Sequence, residues 1–437
     1  MVSPAYIIPK KSKGKFRVIL DSTVKDADGF ALGVNAWIAY ENYGAVLMDS
    51  IEEVVRAAQA FREQHPEEPT VAMAVDWTAW FHQLPLSLRT AGEMWTRLGD
   101  RSALQLMLSM GSASSPMFAC LVSTAFTRRM QERITLDGLL PIAAQRVFVD
   151  DQWVQSTAPH AGWVTARVMS ESERLGFRIS RSKAQGDTPS SRLRFLGFDV
   201  DLDKGRLELP AATRADVLRR VQGAVAARGV LGGRRGLEVF LGKLGHASSA
   251  VFCIRPFLRP LFGLLRRTKE SGTATVRLNA QCRDCLRVIE AALASSEGRS
   301  FPRRFDSHLD WTVSTDACTT GFGAVASQGA RTMRLWGSWP ATLRPHDIPY
   351  AEAAAAVIAL RHWGHTFRGA IVRLRLDNKP VAEAFRRGLT HSPRLTRLMQ
   401  PAFVTMAALD FSVYTQAVAG SANAEADGLS RLSSRTS

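Results

Sequence analysis

The chain of 437 residues is short of cysteine and of long apolar runs. Its five cysteines are odd in number and scattered, which argues against a disulfide framework and favours a reducing, intracellular location, in the cytoplasm or the nucleus. Cys282 and Cys285 have metal-ligand spacing, but no second pair lies near them, so a structural role is favoured. No apolar run is long enough to span a membrane, and we expect no membrane partner.

Acidic side chains are also scarce relative to basic ones. The chain has 40 acidic and 56 basic residues, which gives a net charge of +16. Such an excess points to a polyanionic partner, although arginine enrichment in a GC-rich genome is an alternative source. The basic residues are spread along the chain, which predicts a basic groove and not a tail. The length allows two or three domains, and we see no internal repeat.

Two sequence segments place carboxylates at the ends of predicted strands. Asp150 and Asp151 form a turn between predicted strands at 144–147 and 152–155, and Asp76 ends the run 71–75, which also reads as a buried strand. A sheet that brings these three together needs divalent cations to offset the repulsion between them. Two such cations can activate a 3′-hydroxyl and stabilise a leaving pyrophosphate.

A second acidic set lies near the end of the chain, with its members on two predicted strands and two predicted helices. Its members are Asp316, Glu352, Asp377 and Asp427. If the strands and helices bring them to one end of a sheet, they meet the requirement for two-metal hydrolysis of a phosphodiester.

The ordered motifs of the first 205 residues resemble those of retroelement reverse transcriptases. The turn 148–151 (FVDD) resembles the aromatic-x-Asp-Asp box of that family. The other matching segments are 3–21 (SPAYIIPKKSKGKFRVILD), like the fingers hairpin; 76–85 (DWTAWFHQLP), like the motif of the first catalytic Asp; 111–118 (GSASSPMF); 175–183 (LGFRISRSK); and 194–201 (RFLGFDVD), like the primer grip.

The last third of the chain resembles ribonuclease H. Residues 315–324 (TDACTTGFGA) match its opening strands, and 351–352, 376–378 and 423–427 supply the other acidic positions in order. Polymerase followed by RNase H, with the closing segment 426–431 (ADGLSR), resembles the DIRS-type branch of retrotransposons. Pararetroviruses and gypsy-type elements remain alternatives.

The resemblance implies an α+β fold, with a right-hand polymerase of fingers, palm and helical thumb followed by an α/β RNase H-like domain. We predict fingers and palm over 1–205, thumb, connection and linker over 206–300, and the RNase H-like domain over 301–437. The implied function is RNA-directed DNA polymerase with RNase H activity, using Mg²⁺ or Mn²⁺, two ions in each site. The implied partners are an RNA template, a DNA primer, the RNA–DNA hybrid and deoxynucleoside triphosphates.

The resemblance also implies residue roles. The seven carboxylates would be catalytic and metal-binding: Asp76, Asp150, Asp151, Asp316, Glu352, Asp377 and Asp427. The nucleotide would contact Lys10, Lys11, Arg17, Phe81, Gly111 and Lys183, with Phe81 excluding a 2′-hydroxyl and Lys183 donating a proton to pyrophosphate.

Three positions depart from the family pattern. Trp80 stands where Ala or Gly is usual, so its ring either narrows the nucleotide pocket or is accommodated by repacking of the region around it, and Met110 stands where Phe or Gln is common. Residues 417–420 (AVAG) replace a loop that often carries a His before the last Asp. Two alternatives therefore stay open: a catalytically dead or domesticated nucleic-acid-binding relic, and a chain in which only the RNase H half is active.

Overall fold

The computed structural model describes residues 2–9, 16–20, 23, 35, 49–98, 100–136, 143–179, 189–268, 274–296, 298–300, 306–340, 345 and 347–432. The chain divides into two compact units, which we call unit 1 (Met1–Lys204) and unit 2 (Gly205–Ser437). Both units contain helices and sheets, so the prediction of a mixed α and β fold is confirmed. The predicted domain boundaries at 205 and 300 stay predictions.

Among its described residues, unit 1 contains the first nine strands and four α-helices. The strands are β1 Val2–Pro9, β2 Phe16–Leu20, β3 Thr70–Asp76, β4 Trp95–Leu98, β5 Arg101–Leu104, β6 Ala143–Phe148, β7 Asp151–Thr157, β8 Arg192–Phe195 and β9 Phe198–Asp201. The helices are α1 Ile51–Gln64, α2 Leu88–Glu93, α3 Ser115–Leu136 and α4 Ala161–Arg174.

Local sequence signals account for the start of α1. Ser50 accepts a hydrogen bond from the Glu53 backbone N–H, and the Glu53 side chain accepts one from the Ser50 N–H, which completes the predicted capping box. The apolar face of the helix, including Val54 and Phe61, is buried. The cap and the periodic apolar residues therefore determine both the start and the orientation of this helix.

The central sheet of unit 1 has the strand order β3-β7-β6, with both neighbouring pairs antiparallel. Its core packs against α3 and α4, with Met73, Val154, Phe126 and Val168 among the buried side chains. A second sheet has the order β2-β1-β4-β5, and β8 pairs with β9 in a hairpin.

Unit 2 contains nine strands and eight helices among its described residues. The strands are β10 Arg206–Glu208, β11 Gly229–Leu231, β12 Thr275–Arg277, β13 Arg299–Ser300, β14 Trp311–Ala317, β15 Gly321–Gln328, β16 Arg331–Ser338, β17 Ile371–Leu376 and β18 Ser412–Ala417. The helices are α5 Ala211–Ala226, α6 Gly233–Ala250, α7 Arg255–Arg267, α8 Ala280–Ser295, α9 Ile348–His362, α10 Lys379–Arg387, α11 Pro393–Ala408 and α12 Ala424–Ser430.

Helices α5 to α8 pack together, and β11 pairs with β12 beside them. Near the end of the predicted thumb, connection and linker region, β13 pairs with β10. Cys282 and Cys285 are buried on α8 as free thiols, consistent with the structural role expected for them. Within the described residues, no helix is long and apolar enough to cross a membrane.

A five-stranded sheet forms the rest of unit 2, in the order β16-β15-β14-β17-β18. The β16, β15 and β14 strands are antiparallel, and β14, β17 and β18 run parallel. Its core packs against α9, α10 and α11. Since β14 and β17 are parallel neighbours, residues that follow both strands lie at the same edge of the sheet.

Candidate active sites

Three of the predicted carboxylates in unit 2 converge. In the β14–β17 register Ser314 is opposite Arg375, so two residues further along Asp316 lies opposite Asp377. Glu352 lies in the second turn of α9, which begins after Asp347 caps the Tyr350 N–H. One carboxylate oxygen from each of Asp316, Glu352 and Asp377 lies within 4.8 Å of the others. We call these three residues the acidic triad.

The acidic triad is electrostatically unfavourable without a cation. Burial, together with the charges of Asp377 and Asp316, raises the pKa of Glu352 to about 8. Burial also raises the pKa of Asp316. Within the described part of the chain, Glu352 Oε2 and Asp377 Oδ1 are buried without a hydrogen-bond partner. Buried acceptors of this kind, held close together, fit a divalent cation.

Asp427, the predicted fourth ligand, lies outside the acidic triad. It is the fourth residue of α12, and its Oδ1 accepts hydrogen bonds from Arg431 at 2.6 and 3.0 Å. Its charge still contributes to the raised pKa values of Asp316 and Glu352. Asp427 is therefore close enough to influence the site, while its carboxylate is engaged by an arginine.

Helix α12 contacts the acidic triad through Ser430, a residue for which the sequence assigned no role. Ser430 is fully buried, and its Oγ donates a hydrogen bond to Asp316 Oδ2 at 2.6 Å. The same Oγ lies 2.9 Å from the carbonyl oxygen of Asp427. The signal that could have found Ser430 and Arg431 is their spacing of three and four residues from Asp427, which places all three on one helix face.

A glycine in β15 allows α12 to approach the sheet. A Cβ atom at Gly323 would lie 2.3 Å from the Ala426 carbonyl oxygen and 2.5 Å from the Ser430 backbone nitrogen. Both contacts are with backbone, which cannot move aside cheaply, so any side chain here would displace α12. Asn423 secures the start of the helix by donating to the Thr315 carbonyl oxygen at 2.8 Å.

Residues 417–420 stand where the resemblance to ribonuclease H predicts a His-containing loop, and Gly420 lies beside Asp377. A Cβ atom at Gly420 would lie 3.9 Å from Asp377 Oδ2. Asn378, which follows Asp377, caps α10 by accepting a hydrogen bond from the Val381 N–H. The loop thus approaches the acidic triad without contributing an imidazole from 417–420.

In unit 1 the register of the central sheet brings two predicted aspartates together. Asp76 ends β3 and is directly opposite Asp151, the first residue of β7. Side chains of a directly opposed pair lie on the same face, and like charges there destabilise a sheet. Asp150 occupies the turn between β6 and β7. Among the described residues, the 4.8 Å grouping found in unit 2 does not recur for Asp76, Asp150 and Asp151.

The turn that carries Asp150 has an unusual backbone. Val149 has a φ of 55°, a conformation that β-branched residues rarely adopt. Its carbonyl oxygen accepts a hydrogen bond from Ser123 Oγ, which is buried on α3. Strain of this type is concentrated at functional sites, where surrounding contacts maintain it. Ser123 is a second residue that sequence reasoning missed, because the contact joins residues 26 positions apart.

Trp80 is a core residue of unit 1. Its side chain is 1% exposed, and its ring stacks on Trp77 with centroids 3.9 Å apart. Phe177 packs edge-on against it at 5.0 Å. Phe81, the predicted sugar gate, is half-buried and packs against the same core. Of the two placements expected for the Trp80 ring, the structure therefore shows the packed one.

Hydrogen bonds join several of the other predicted motifs. Asn35 Nδ2 donates to the Gly111 carbonyl oxygen at 2.8 Å, and Asn35 Oδ1 accepts from the Ala113 N–H at 2.7 Å. Gln83 belongs to the 76–85 motif, and its Oε1 accepts a hydrogen bond from the Arg178 N–H at 2.6 Å, which joins this motif to the 175–183 motif.

Four of the predicted nucleotide contacts cannot be placed. Lys10, Lys11 and Lys183 lie outside the described residues. Arg17 lies in β2, but the position of its side chain is outside the described part of the structure. Their roles stay predictions.

Comparison with known proteins finds similarity at the level of structure. No protein-family model matches the chain, and no curated protein matches it. The foamy viral protease-reverse transcriptase dRH in complex with double-stranded DNA matches with a TM-score of 0.51 and 15% identity, over 96% of this chain and 66% of that one. The chain therefore shares its fold with a reverse transcriptase.

Two further structures of the foamy viral enzyme agree. The complex with RNA/DNA hybrid has a TM-score of 0.51 and 15% identity over 95% of this chain, and the complex with double-stranded DNA has 0.50 and 16% over 95%. The chain spans 50% and 78% of the length of these two proteins.

Proposed function

We propose that the chain is an RNA-directed DNA polymerase with ribonuclease H activity, which copies retroelement RNA into DNA. The observation that carries this proposal is the convergence of Asp316, Glu352 and Asp377 in a chain with the fold of a reverse transcriptase. Unit 2 would cleave RNA in a hybrid, and unit 1 would extend the DNA primer.

In unit 2 the acidic triad would hold two Mg²⁺ or Mn²⁺ ions, with Asp427 as a further ligand. Bound there, the ions would lower the pKa of an attacking water and stabilise charge on the leaving oxygen. The residues themselves have distinct tasks. Ser430 orients Asp316 through its hydrogen bond, and Arg431 holds Asp427 until a cation competes for it. Burial of Glu352 strengthens its interaction with any cation.

In unit 1 Asp76 and Asp151 would form one face of the polymerase site, with Asp150 at the turn beside them. Opposed like charges on neighbouring strands support a bound cation, because a cation offsets their repulsion. The strained Val149, held by Ser123, supports a functional role for the turn. Phe81 would exclude the ribose 2′-hydroxyl, so that deoxynucleotides are selected.

The net charge of +16 supports a nucleic-acid partner. The similar foamy viral proteins were solved with double-stranded DNA and with an RNA/DNA hybrid. We propose the same classes of ligand here: an RNA template, a DNA primer and their hybrid, together with deoxynucleoside triphosphates.

We further propose that the chain comes from the DIRS-type branch. The support is the Asp377-Asn378 pair and the closing 426–431 segment, whose Ser430 and Arg431 contact two of the four acidic residues. Pararetroviral and gypsy-type origins remain alternatives, because their polymerases carry similar motifs.

One observation favours the alternative in which only the RNase H half is active. Three of the four predicted carboxylates of unit 2 meet within 4.8 Å, whereas the described Asp76, Asp150 and Asp151 do not form such a group. One argument for the relic alternative was a nucleotide pocket narrowed by Trp80. Because the Trp80 ring is packed in the core, that argument is weakened.

The test is a paired assay on the purified chain with Mg²⁺ or Mn²⁺. Extension of a DNA primer on an RNA template and cleavage of the RNA strand in a labelled hybrid are measured together. Both activities are expected. Cleavage without extension would select the nuclease-only alternative, and hybrid binding without either activity would select the relic.

A further inference from the structure

A cavity of about 330 Å³ lies within unit 2, between helices α7, α8 and α11. Among its lining residues, all of them in the described part of the chain, there is no carboxylate and no aromatic ring. Four arginines line it, and we call it the arginine cavity: Arg259, Arg266, Arg267 and Arg397. The cavity therefore concentrates positive charge beside small and polar side chains.

No carboxylate among the described residues neutralises the charge of these arginines. Within the described residues, none of the four forms an ion pair with a carboxylate. Arginines elsewhere in unit 2 do so, including Arg287 with Asp284 and Arg386 with Glu383. Gathering like charges without acids is unfavourable for folding alone, which makes a bound anion the natural source of compensation.

Hydrogen bonds between the walls hold the cavity in shape. Arg259 Nη2 donates to the His391 carbonyl oxygen at 2.5 Å, and Gln400 Nε2 donates to the Pro256 carbonyl oxygen at 3.2 Å. Both bonds join α7 to α11 or to the segment before it. A ligand would thus meet a preformed site, which lowers the ordering cost of binding.

Two helices also direct their N-terminal turns at the cavity. Gln281 is the second residue of α8, and Pro393 is the first residue of α11, and both line it. Each helix is 16 residues long and carries partial positive charge at this end. The dipoles of α8 and α11 and the arginine side chains therefore favour the same type of ligand, an anion with several oxygen acceptors, whereas the last turn of α7, which carries Arg266 and Arg267, has the opposite polarity.

We infer that the arginine cavity binds backbone phosphates of a nucleic-acid strand, an inference that rests on the proposed function. Guanidinium groups match phosphate oxygens with paired hydrogen bonds. Without an aromatic ring the cavity offers no stacking platform for a base, so the contact is with the backbone and is independent of sequence. It provides a second attachment for the strand in unit 2, apart from the acidic triad.

The test compares the double variant Arg266→Gln/Arg397→Gln with the control Arg219→Gln/Arg361→Gln. All four arginines are exposed, and the control pair lies outside the cavity. Binding of an RNA–DNA hybrid is measured by fluorescence anisotropy over a salt series in EDTA, so that cleavage cannot occur. Loss of two phosphate contacts should reduce the log–log salt slope by about 2 and weaken binding on the order of tenfold at low salt. The control should match the wild type.

A cavity variant that binds the hybrid as the control does overturns the inference. Calorimetry with inorganic pyrophosphate distinguishes a site for a free small anion from a site for the phosphates of a nucleic-acid backbone. Pyrophosphate binding that the cavity variant loses, with hybrid binding unchanged, identifies a small-anion site and also overturns the inference. In either case a wild type that extends primers and cleaves hybrids keeps the proposed function. If the wild type neither binds nor processes nucleic acid, both the cavity inference and the proposed function are overturned.

Discussion

Ser430 Oγ donates a hydrogen bond to Asp316 Oδ2 at 2.6 Å, across 114 positions of sequence. The bond connects the last helix to a carboxylate of the central strand β14. It opposes the effect of burial on the pKa of Asp316, because it stabilises the ionised form. Ser430 thus favours the ionised form of Asp316, which is the form that binds a cation.

Replacing Ser430 with Ala should weaken Mn²⁺ binding and hybrid cleavage together. The Oδ2 atom of the buried Asp316 loses its donor, at a cost to stability of about 1–3 kcal/mol. Isothermal titration with Mn²⁺ and a cleavage assay measure the two effects. Ser172→Ala is the matched control, because Ser172 is also fully buried but donates to a helix carbonyl in unit 1. Equal cleavage by both variants would remove Ser430 from the site.

Replacing Arg431 with Ala should tighten Mn²⁺ binding by up to about fivefold, because the exposed arginine competes only weakly with a cation for Asp427. The change frees Asp427 and removes a positive charge near Asp316. Arg387→Ala breaks an equivalent helical pair with Glu383 and serves as the control. Unchanged or weaker Mn²⁺ binding by the Arg431 variant would contradict the competition between arginine and cation.

The raised pKa of Glu352 predicts that the stability of the metal-free protein depends on pH. Its folded pKa of about 8 exceeds the ordinary value of 4.5, so folding takes up a proton between these values. Stability should therefore fall as the pH rises from about 4.5 to 8, by roughly a few kcal/mol. Glu352→Gln should lack this loss in thermal melts with EDTA. Mg²⁺ at pH 8 should stabilise the wild type and have less effect on the variant.

The opposite sign is expected for Glu383, which pairs with Arg386 and Arg387. These partners lower its pKa to about 2, so its contribution is present at neutral pH and is lost as the pH falls through that value. Glu383→Gln should not gain stability at pH 8. A gain there, or a wild type whose melting temperature does not change between pH 5 and 8, would contradict the account of Glu352.

Trp80→Ala should destabilise unit 1 by about 3–5 kcal/mol, because a fully buried ring leaves a cavity. Hybrid cleavage by unit 2 should persist at low temperature. Trp336→Ala, on the edge strand β16 with its ring 51% exposed, should change stability by no more than about 0.5 kcal/mol. A Trp80 variant of wild-type stability would show that the ring lies at a surface.

Local features of the chain could be predicted from sequence because their causes are local. The capping box of Ser50 and Glu53 and the strands on either side of Asp150 depend on residues a few positions apart. Asp316 and Asp377 could be assigned to strand ends for the same reason. Their meeting with Glu352 was inferred from family resemblance, and the parallel β14–β17 register gives its physical basis.

Contacts between distant segments could not be predicted in this way. The position of Trp80 depends on Phe177, which arrives from the segment after α4, so its burial has no local signature. Ser430 reaches Asp316 only because Gly323 lets α12 lie against β15. The arginine cavity forms where α11 meets α7, whose Pro256 lies 144 positions before Gln400 of α11. The sequence showed the positive charge of the cavity only as an overall excess of basic residues.

The central claim is that each unit carries its own catalytic carboxylates. Asp150→Asn in unit 1 and Asp377→Asn in unit 2 preserve side-chain shape and remove one charge each. Primer extension, hybrid cleavage and hybrid binding are measured for both variants. Asp150→Asn should lose extension by orders of magnitude and retain cleavage, Asp377→Asn should do the reverse, and both should bind the hybrid. A single substitution that abolishes both activities in a folded, hybrid-binding protein would contradict the claim.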